Sequence, residues 1–186
     1  MWAICAIMPC VGCGSVMRSK SVESMIRVDH AGEYAAVCIY HGQGVVFSRT
    51  RDADKIQEMQ EHERVHFRYF NNLILQRRVR PTLFLPVWHV AGVALGYVTA
   101  MMGKKAAMAC TAAVEEVICD HYSNQVAQLD DSERDLSDKI LQFCAEEREH
   151  METAISCGAE EVFGYRLLSS AIKMACRAGI AISKAL

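Results

Sequence analysis

Apolar residues recur at three- and four-residue intervals along most of the chain, and alternating apolar and polar runs bounded by turn residues are missing. That period predicts helices and no sheet. The first helix runs from Val22 to about Ser48 and breaks at Ser48-Arg49-Thr50-Arg51-Asp52, where Thr50 or Asp52 caps a second helix reaching about Arg80. Pro81 and Pro86 stop that helix. A third stretch extends from near Val87 to Leu129 and ends at Asp130-Asp131-Ser132, a fourth from there to Cys157-Gly158, and a fifth from Val162 to Ala185.

Length and composition fit this all-α reading. The 186 residues suffice for one core and not for two, so residues 22–186 are expected to form a single domain behind a poorly ordered or weakly structured segment 1–21. Three prolines, eleven glycines and about half apolar residues favour helix. A formal charge of −2 argues against nucleic acid as a partner, since phosphate binding needs a positive field. The nine cysteines are odd in number and mostly inside helical segments, so they read as reduced thiols. Cys10 and Cys13 have metal or redox spacing, but no second pair completes a zinc site. The first seventeen residues carry no basic side chain and match neither a secretory signal nor an Arg-rich transit peptide, which leaves the compartment undecided.

Chemistry enters with two copies of Glu-x-x-His, Glu63-Arg-Val-His66 and Glu147-Arg-Glu-His150, each placing its two ligating side chains on one helix face. One copy alone is weak evidence. In an antiparallel hairpin, however, residues equidistant from the turn stand at one height, because both helices rise about 1.5 Å per residue. Ser48 is midway between Glu33 and Glu63, and Asp131 is midway between Glu115 and Glu147; both lie in predicted turns. Each hairpin thus sets one solitary Glu level with one Glu-x-x-His pair. Glu33 and Glu115 are 82 positions apart and Glu63 and Glu147 are 84 apart, so the halves are alike and can pack with approximate two-fold symmetry.

The neighbours of these residues are apolar: Ile26, Val37 and Tyr40 share the face of Glu33, Met59, Phe67 and Phe70 flank the second helix's pair, and Ile140 and Phe143 accompany Glu147. Four buried carboxylates cost several kcal/mol each unless cations neutralise them. Two divalent metals meet that need, and four Glu with two His is the array of ferritin-like di-iron and di-manganese proteins. Mixed oxygen and imidazole donors suit iron or manganese. The competing reading is two amphipathic hairpins with solvated acids, and Glu58, Glu61, Glu116, Glu146 and Glu149 are assigned to that class. Glu115 is preferred to Glu116 because it matches the turn midpoint and sets Tyr122 seven residues on, placed to hydrogen-bond a ligand, relay an electron, or simply pack in the core.

The strings Arg27-Val-Asp-His-Ala-Gly-Glu33-Tyr, Arg80-Pro-Thr, Trp88, Gly103-Lys, Ala109-Cys-Thr and Val114-Glu-Glu resemble the demethoxyubiquinone hydroxylase family over residues 22–186. The resemblance implies a ferritin-like four-helix bundle with an additional C-terminal amphipathic helix. It also implies two iron ions on Glu33, Glu63, His66, Glu115, Glu147 and His150, with Glu63 and Glu147 bridging. The implied reaction is hydroxylation of a 2-polyprenyl-3-methyl-6-methoxy-1,4-benzoquinol in ubiquinone biosynthesis. Dioxygen is the co-substrate and two electrons come from NADH, directly or through the quinone; no Gly-rich nucleotide fingerprint marks the donor site. A lipid-binding helical partner that delivers the prenylated substrate is a further implication.

A prenylated substrate calls for a membrane surface. Pro81 to Gly103 holds no Asp, Glu, Lys or Arg, yet its prolines, Gly92, Gly96 and His89 favour a buried or interfacial half-helix over a span. Arg77, Arg78 and Arg80 precede it, suited either to anionic headgroups or to a helix C-terminus. Arg166, Lys173, Arg177 and Lys184 form one basic stripe on the last helix, which reads either as an interfacial helix or as a helix packed on the bundle with a solvated basic face. Both describe a peripheral membrane protein, on the cytoplasmic face of a bacterial membrane or the matrix face of the mitochondrial inner membrane. The alternatives are a ferroxidase or iron-storage protein, disfavoured by the uncharged stretch, and a tRNA hydroxylase, disfavoured by the charge.

Overall fold

The polar break after Phe47 closes the first hairpin through side chain as well as backbone. Thr50 Oγ1 donates to the Phe47 carbonyl at 2.8 Å and accepts from the Asp52 amide, so it finishes the first helix while the second begins. Asp52 occupies the N-cap position of the second helix without a capping bond, and its carboxylate instead takes Lys104 Nζ at 2.5 Å. The computed structural model describes residues 20–185, and the expectations for segment 1–21 and for Cys10 and Cys13 lie outside the described residues, apart from positions 20 and 21. Among the described residues there are six α-helices: α1 Lys20–Phe47, α2 Ala53–Arg77, α3 Leu85–Met101, α4 Lys104–Val126, α5 Arg134–Ser156 and α6 Tyr165–Ala185. No strand occurs among the described residues.

Helices α1 and α2 pack as one hairpin and α4 and α5 as another, which together form the four-helix bundle; α3 lies along α1, and α6 lies along α4. The expected single helix from Val87 to Leu129 is therefore two. Its break falls at Gly103, whose φ of 108° is open to glycine and closed to side chains with a Cβ. The break turns the chain from α3, on the flank, into α4, in the bundle. Helix α3 approaches α1 so closely that a Cβ on Gly96 would sit 1.9 Å from the Ile39 carbonyl oxygen.

Two apolar layers are stacked along the bundle. Ile26, Phe70, Tyr122, Ile140 and Phe143 fill one, and Tyr40, Met59, Met108 and Ala112 fill the other. Glu33, Glu63, Glu115 and Glu147 all occur in sequence between residues of these two layers on their own helices, so packing withdraws them from water.

The basic stripe of α6 is only partly free. Lys173 Nζ bonds Glu116 at 2.5 Å and Arg177 approaches Asp120 at 3.9 Å, both on α4. Ile172, Ser169 and Ser183 face inward, while Leu167, Met174 and Ile182 are exposed. The helix is thus packed on the bundle, and its outer face is apolar. No helix among the described residues is long and apolar enough to cross a membrane.

Candidate metal centre

Each of the six sequence-selected residues is buried, and the four helices of the bundle bring them to one level. Glu33, Glu63, His66 and Glu147 each offer an atom within 4.8 Å of the others, and so do Glu63, Glu115, Glu147 and His150. Both groups contain Glu63 and Glu147, so two cations held here would share those two carboxylates. Glu115 is buried and belongs to the cluster, whereas Glu116 is half-exposed and paired with Lys173.

Protein groups alone leave this cluster unsatisfied. Glu33 Oε2, both oxygens of Glu63 and Glu115 Oε2 are buried without a hydrogen-bond partner. His150 Nδ1 stands 3.1 Å from Glu63 and 3.2 Å from Glu147, and a ring nitrogen with one hydrogen serves one of them. Unpaired buried carboxylate oxygens are costly, and a polar cluster of this charge is stable only with a compensating cation or with bound protons. The donor set therefore fits a pair of hard or borderline divalent ions.

Without metal, protons take over part of that task. Burial, joined by the neighbouring carboxylates, pushes Glu63 and Glu115 well above the ordinary carboxylate range. Burial also raises Glu33, against the opposing bond and charge of His66. Burial acts on Glu147 in the same sense, but hydrogen bonds from His150 and His66 outweigh it and hold Glu147 below its usual value. Those contacts keep both imidazoles above theirs in spite of burial.

Two tyrosines orient the solitary carboxylates. Tyr122 on α4 donates a short hydrogen bond to Glu33 on α1, and Tyr40 on α1 donates to Glu115 on α4 at 2.8 Å. Burial and these carboxylates hold both phenols well above their usual value, so each keeps its proton to donate. Sequence reasoning had selected Tyr122 but read Tyr40 only as an apolar neighbour. The signal was present, since each tyrosine follows its helix's solitary Glu by seven residues.

Glu146, expected as a surface charge, is corrected: its carboxylate accepts from His66 Nε2 at 2.7 Å. His62, which sequence reasoning passed over, places Nδ1 3.1 Å from His150 Nε2. One turn before Glu33, buried Asp29 accepts from Gln125 at 2.7 Å and contacts His121 at 3.1 Å. Tyr34 and Phe67, the chain neighbours of Glu33 and His66, line a cavity of about 1010 Å³ together with His30, Asn71 and His89, with exposed Leu75 and Val90 at its edge. His30 is buried and its Nδ1 has no hydrogen-bond partner.

The family model described as ubiquinone biosynthesis protein COQ7 matches residues 20–183. The chain is 47% identical over 168 residues to the NADPH-dependent 3-demethoxyubiquinone 3-hydroxylase, mitochondrial, of Mus musculus, covering 88% of this chain and 77% of that one. The protein of the same name from Dictyostelium discoideum is 44% identical over 170 residues, covering 90% and 78%. The 3-demethoxyubiquinol 3-hydroxylase of Rhodospirillum rubrum is 43% identical over 164 residues, covering 88% and 77%. The chain belongs to the COQ7 family of ubiquinone biosynthesis proteins.

Proposed function

We propose that this chain is a di-iron monooxygenase that hydroxylates the ring of a prenylated demethoxyubiquinol. The observation that carries the reading is the convergence of four buried carboxylates and two imidazoles, with four carboxylate oxygens unpartnered, on helices whose neighbouring residues Tyr34 and Phe67 line a cavity of ring-accommodating size. The names of the relatives supply the substrate class. Glu33 and His66 would hold one iron, Glu115 and His150 the other, and Glu63 and Glu147 would bridge them. Iron bound there supplies the redox chemistry by which dioxygen is reduced. One oxygen atom enters the ring and the other leaves as water; the two electrons required come from a reduced nicotinamide, the donor class named for the mouse and Dictyostelium relatives.

The chain's own residues perform the positioning. Tyr122 and Tyr40 fix Glu33 and Glu115 by hydrogen bonds, and the two apolar layers exclude water from the cluster. In the cavity, the packed rings of Tyr34 and Phe67 form part of an aromatic and aliphatic lining suited to a flat ring. Leu75 and Val90 at the cavity's edge continue into exposed Val87, Val98 and Met101 on α3, an apolar route for a prenyl tail. That surface, with Leu167, Met174 and Ile182 on α6, is our basis for a peripheral membrane location and for a lipid-binding partner. In a mitochondrion, the compartment in the names of the eukaryotic relatives, such a protein would act at the matrix face of the inner membrane, and in a bacterial cell at the cytoplasmic face of the cell membrane.

The test is complementation of cells that cannot hydroxylate demethoxyubiquinone. Expression of this chain is expected to remove the demethoxy precursor and restore ubiquinone, while Glu147→Ala does neither. Persistence of the precursor with the protein present and metal-loaded would exclude this substrate. Iron storage finds no support in the names of the relatives, and the exposed apolar faces of α3 and α6 do not suit a soluble cage.

A further inference from the structure

The two halves of the metal centre match in every ligating residue and differ in the group that meets the outer nitrogen of each imidazole. Each half has a solitary Glu bonded by a tyrosine of the opposite helix, one imidazole, and a share in Glu63 and Glu147. Both imidazoles turn Nδ1 inward: His66 Nδ1 is 2.8 Å from Glu147, and His150 Nδ1 is 3.2 Å from it. Both turn Nε2 outward to the residue that precedes the opposite hairpin's paired Glu. For His66 that residue is Glu146, whose carboxylate is 2.7 Å away and whose other oxygen is fixed by Gln142 at 2.8 Å. For His150 it is His62, whose Nδ1 is 3.1 Å away, with the rings stacked at 5.3 Å and 13°.

These partners act differently on a ligating ring. An imidazole that binds a cation through Nδ1 carries its hydrogen on Nε2 and donates it outward, which orients the ring and raises its basicity. A carboxylate acceptor draws that hydrogen strongly and leaves more electron density on Nδ1, whereas a neutral ring nitrogen forms a bond roughly half as strong. For His62 to accept, its own hydrogen must be on Nε2, which faces away from His150. Because the ligating residues and their tyrosines are matched, the outer contact of each imidazole acts directly on the relative affinity of the two positions.

We propose that the two metal positions are unequal: the one at Glu33 and His66 binds a divalent cation more tightly and fills first, and His62 is the positioning residue that sets the weaker one. This rests on the reading of the six residues as metal ligands.

The test is calorimetric titration of the metal-free full chain with Mn²⁺, repeated with Co²⁺ while following its visible absorption. Two steps separated by about 10- to 100-fold are expected, the range over which outer contacts shift metal affinity. Glu33→Gln should remove the tighter step and Glu115→Gln the weaker one. Glu146→Gln should weaken the first step toward the second. His62→Glu, which gives the second half the carboxylate of the first, should tighten the second step, a gain that damage to packing does not produce. Wild-type steps within threefold of each other would overturn the inference. So would a His62→Glu protein of unchanged helix content and unchanged second step, or a Glu146→Gln protein of unchanged first step. A wild-type chain that binds no Mn²⁺ or Co²⁺ at all would instead remove the ligand reading on which this stands.

Discussion

The Tyr40 hydroxyl, on α1, reaches across the bundle to Glu115 on α4 at 2.8 Å, and Tyr122 on α4 returns the same bond to Glu33 on α1. The exchange follows from a common spacing of seven residues, two helical turns, between each tyrosine and its own helix's Glu. Replacing either phenol by Phe leaves a buried carboxylate oxygen without its partner while preserving the ring's packing. Tyr40→Phe and Tyr122→Phe are each expected to lower stability by about 1–3 kcal/mol. Urea unfolding with unchanged m-value checks this, and a loss below a few tenths would show that the bonds contribute little.

The metal-free protein should respond to pH in the sense set by its centre. Glu33, Glu63 and Glu115 have folded-state values above the 4.5 of the free side chain, chiefly through burial, so the folded chain holds their protons more firmly than the unfolded one. Their contribution is complete below 4.5 and is lost as pH rises through the raised values. His66 and His150 act in the same direction above their free value of 6.5, because burial is outweighed there by bonds to Glu147. Glu147 is opposite in sign and matters only on the acid side. Thermal unfolding of the metal-free chain should therefore fall from pH 6.5 into the mildly alkaline range, and divalent metal should abolish that fall. Metal binding should also release protons, seen as a dependence of the binding heat on buffer ionisation. A metal-free melting temperature that rises over this range would contradict the burial argument.

The level of the metal centre was legible because it depended on turn midpoints alone. Ser48 falls in the observed turn between α1 and α2, and Asp131 in the short turn before α5. The break at Gly103 falls beyond Glu115 from that second turn, so missing it did not disturb the count. It was missed because apolar residues continue on both sides and a single glycine is tolerated in a helical pattern. Glu146 was misread for a different reason. It is one residue from the inward-facing Glu147, about 100° around the helix, and only the reach of His66 from α2 brings it into the site. The α6 stripe was ambiguous because its partners, Glu116 and Asp120, belong to another helix.

Of the adjacent glutamates on α4, buried Glu115 is the proposed ligand and half-exposed Glu116 is paired with Lys173. Glu115→Ala should abolish one metal equivalent and activity with it, since it removes a buried donor common to no other position. Glu116→Ala breaks a partly exposed pair with Lys173, and such pairs contribute about 0–1 kcal/mol. Its metal content should be unchanged. Metal analysis of the two purified variants decides between them, and a Glu116→Ala protein that has lost metal would reverse the assignment.

Helix α3 can cover the cavity only because glycine lets it lie against α1. A Cβ added at Gly96 meets the Ile39 carbonyl oxygen at 1.9 Å and one at Gly42 meets the Val93 carbonyl oxygen at 2.3 Å, both backbone atoms that no rotamer change can move. The helices would have to separate, and α1 carries Glu33 and Tyr40 while α3 carries His89 and Val90 of the cavity lining. Gly96→Ala is expected to cost about 1–3 kcal/mol, the range for overpacking, and to loosen the cavity. Gly44, on α1, is the control, because a Cβ there meets only the Ile56 Cγ2 of α2, at an ordinary contact distance of 3.9 Å. Gly44→Ala should stabilise by up to about 1 kcal/mol through helix propensity alone. Opposite signs for these two substitutions in urea unfolding would locate the α1–α3 contact as the structural wall of the site; equal signs would show that helix separation is not what Gly96 prevents.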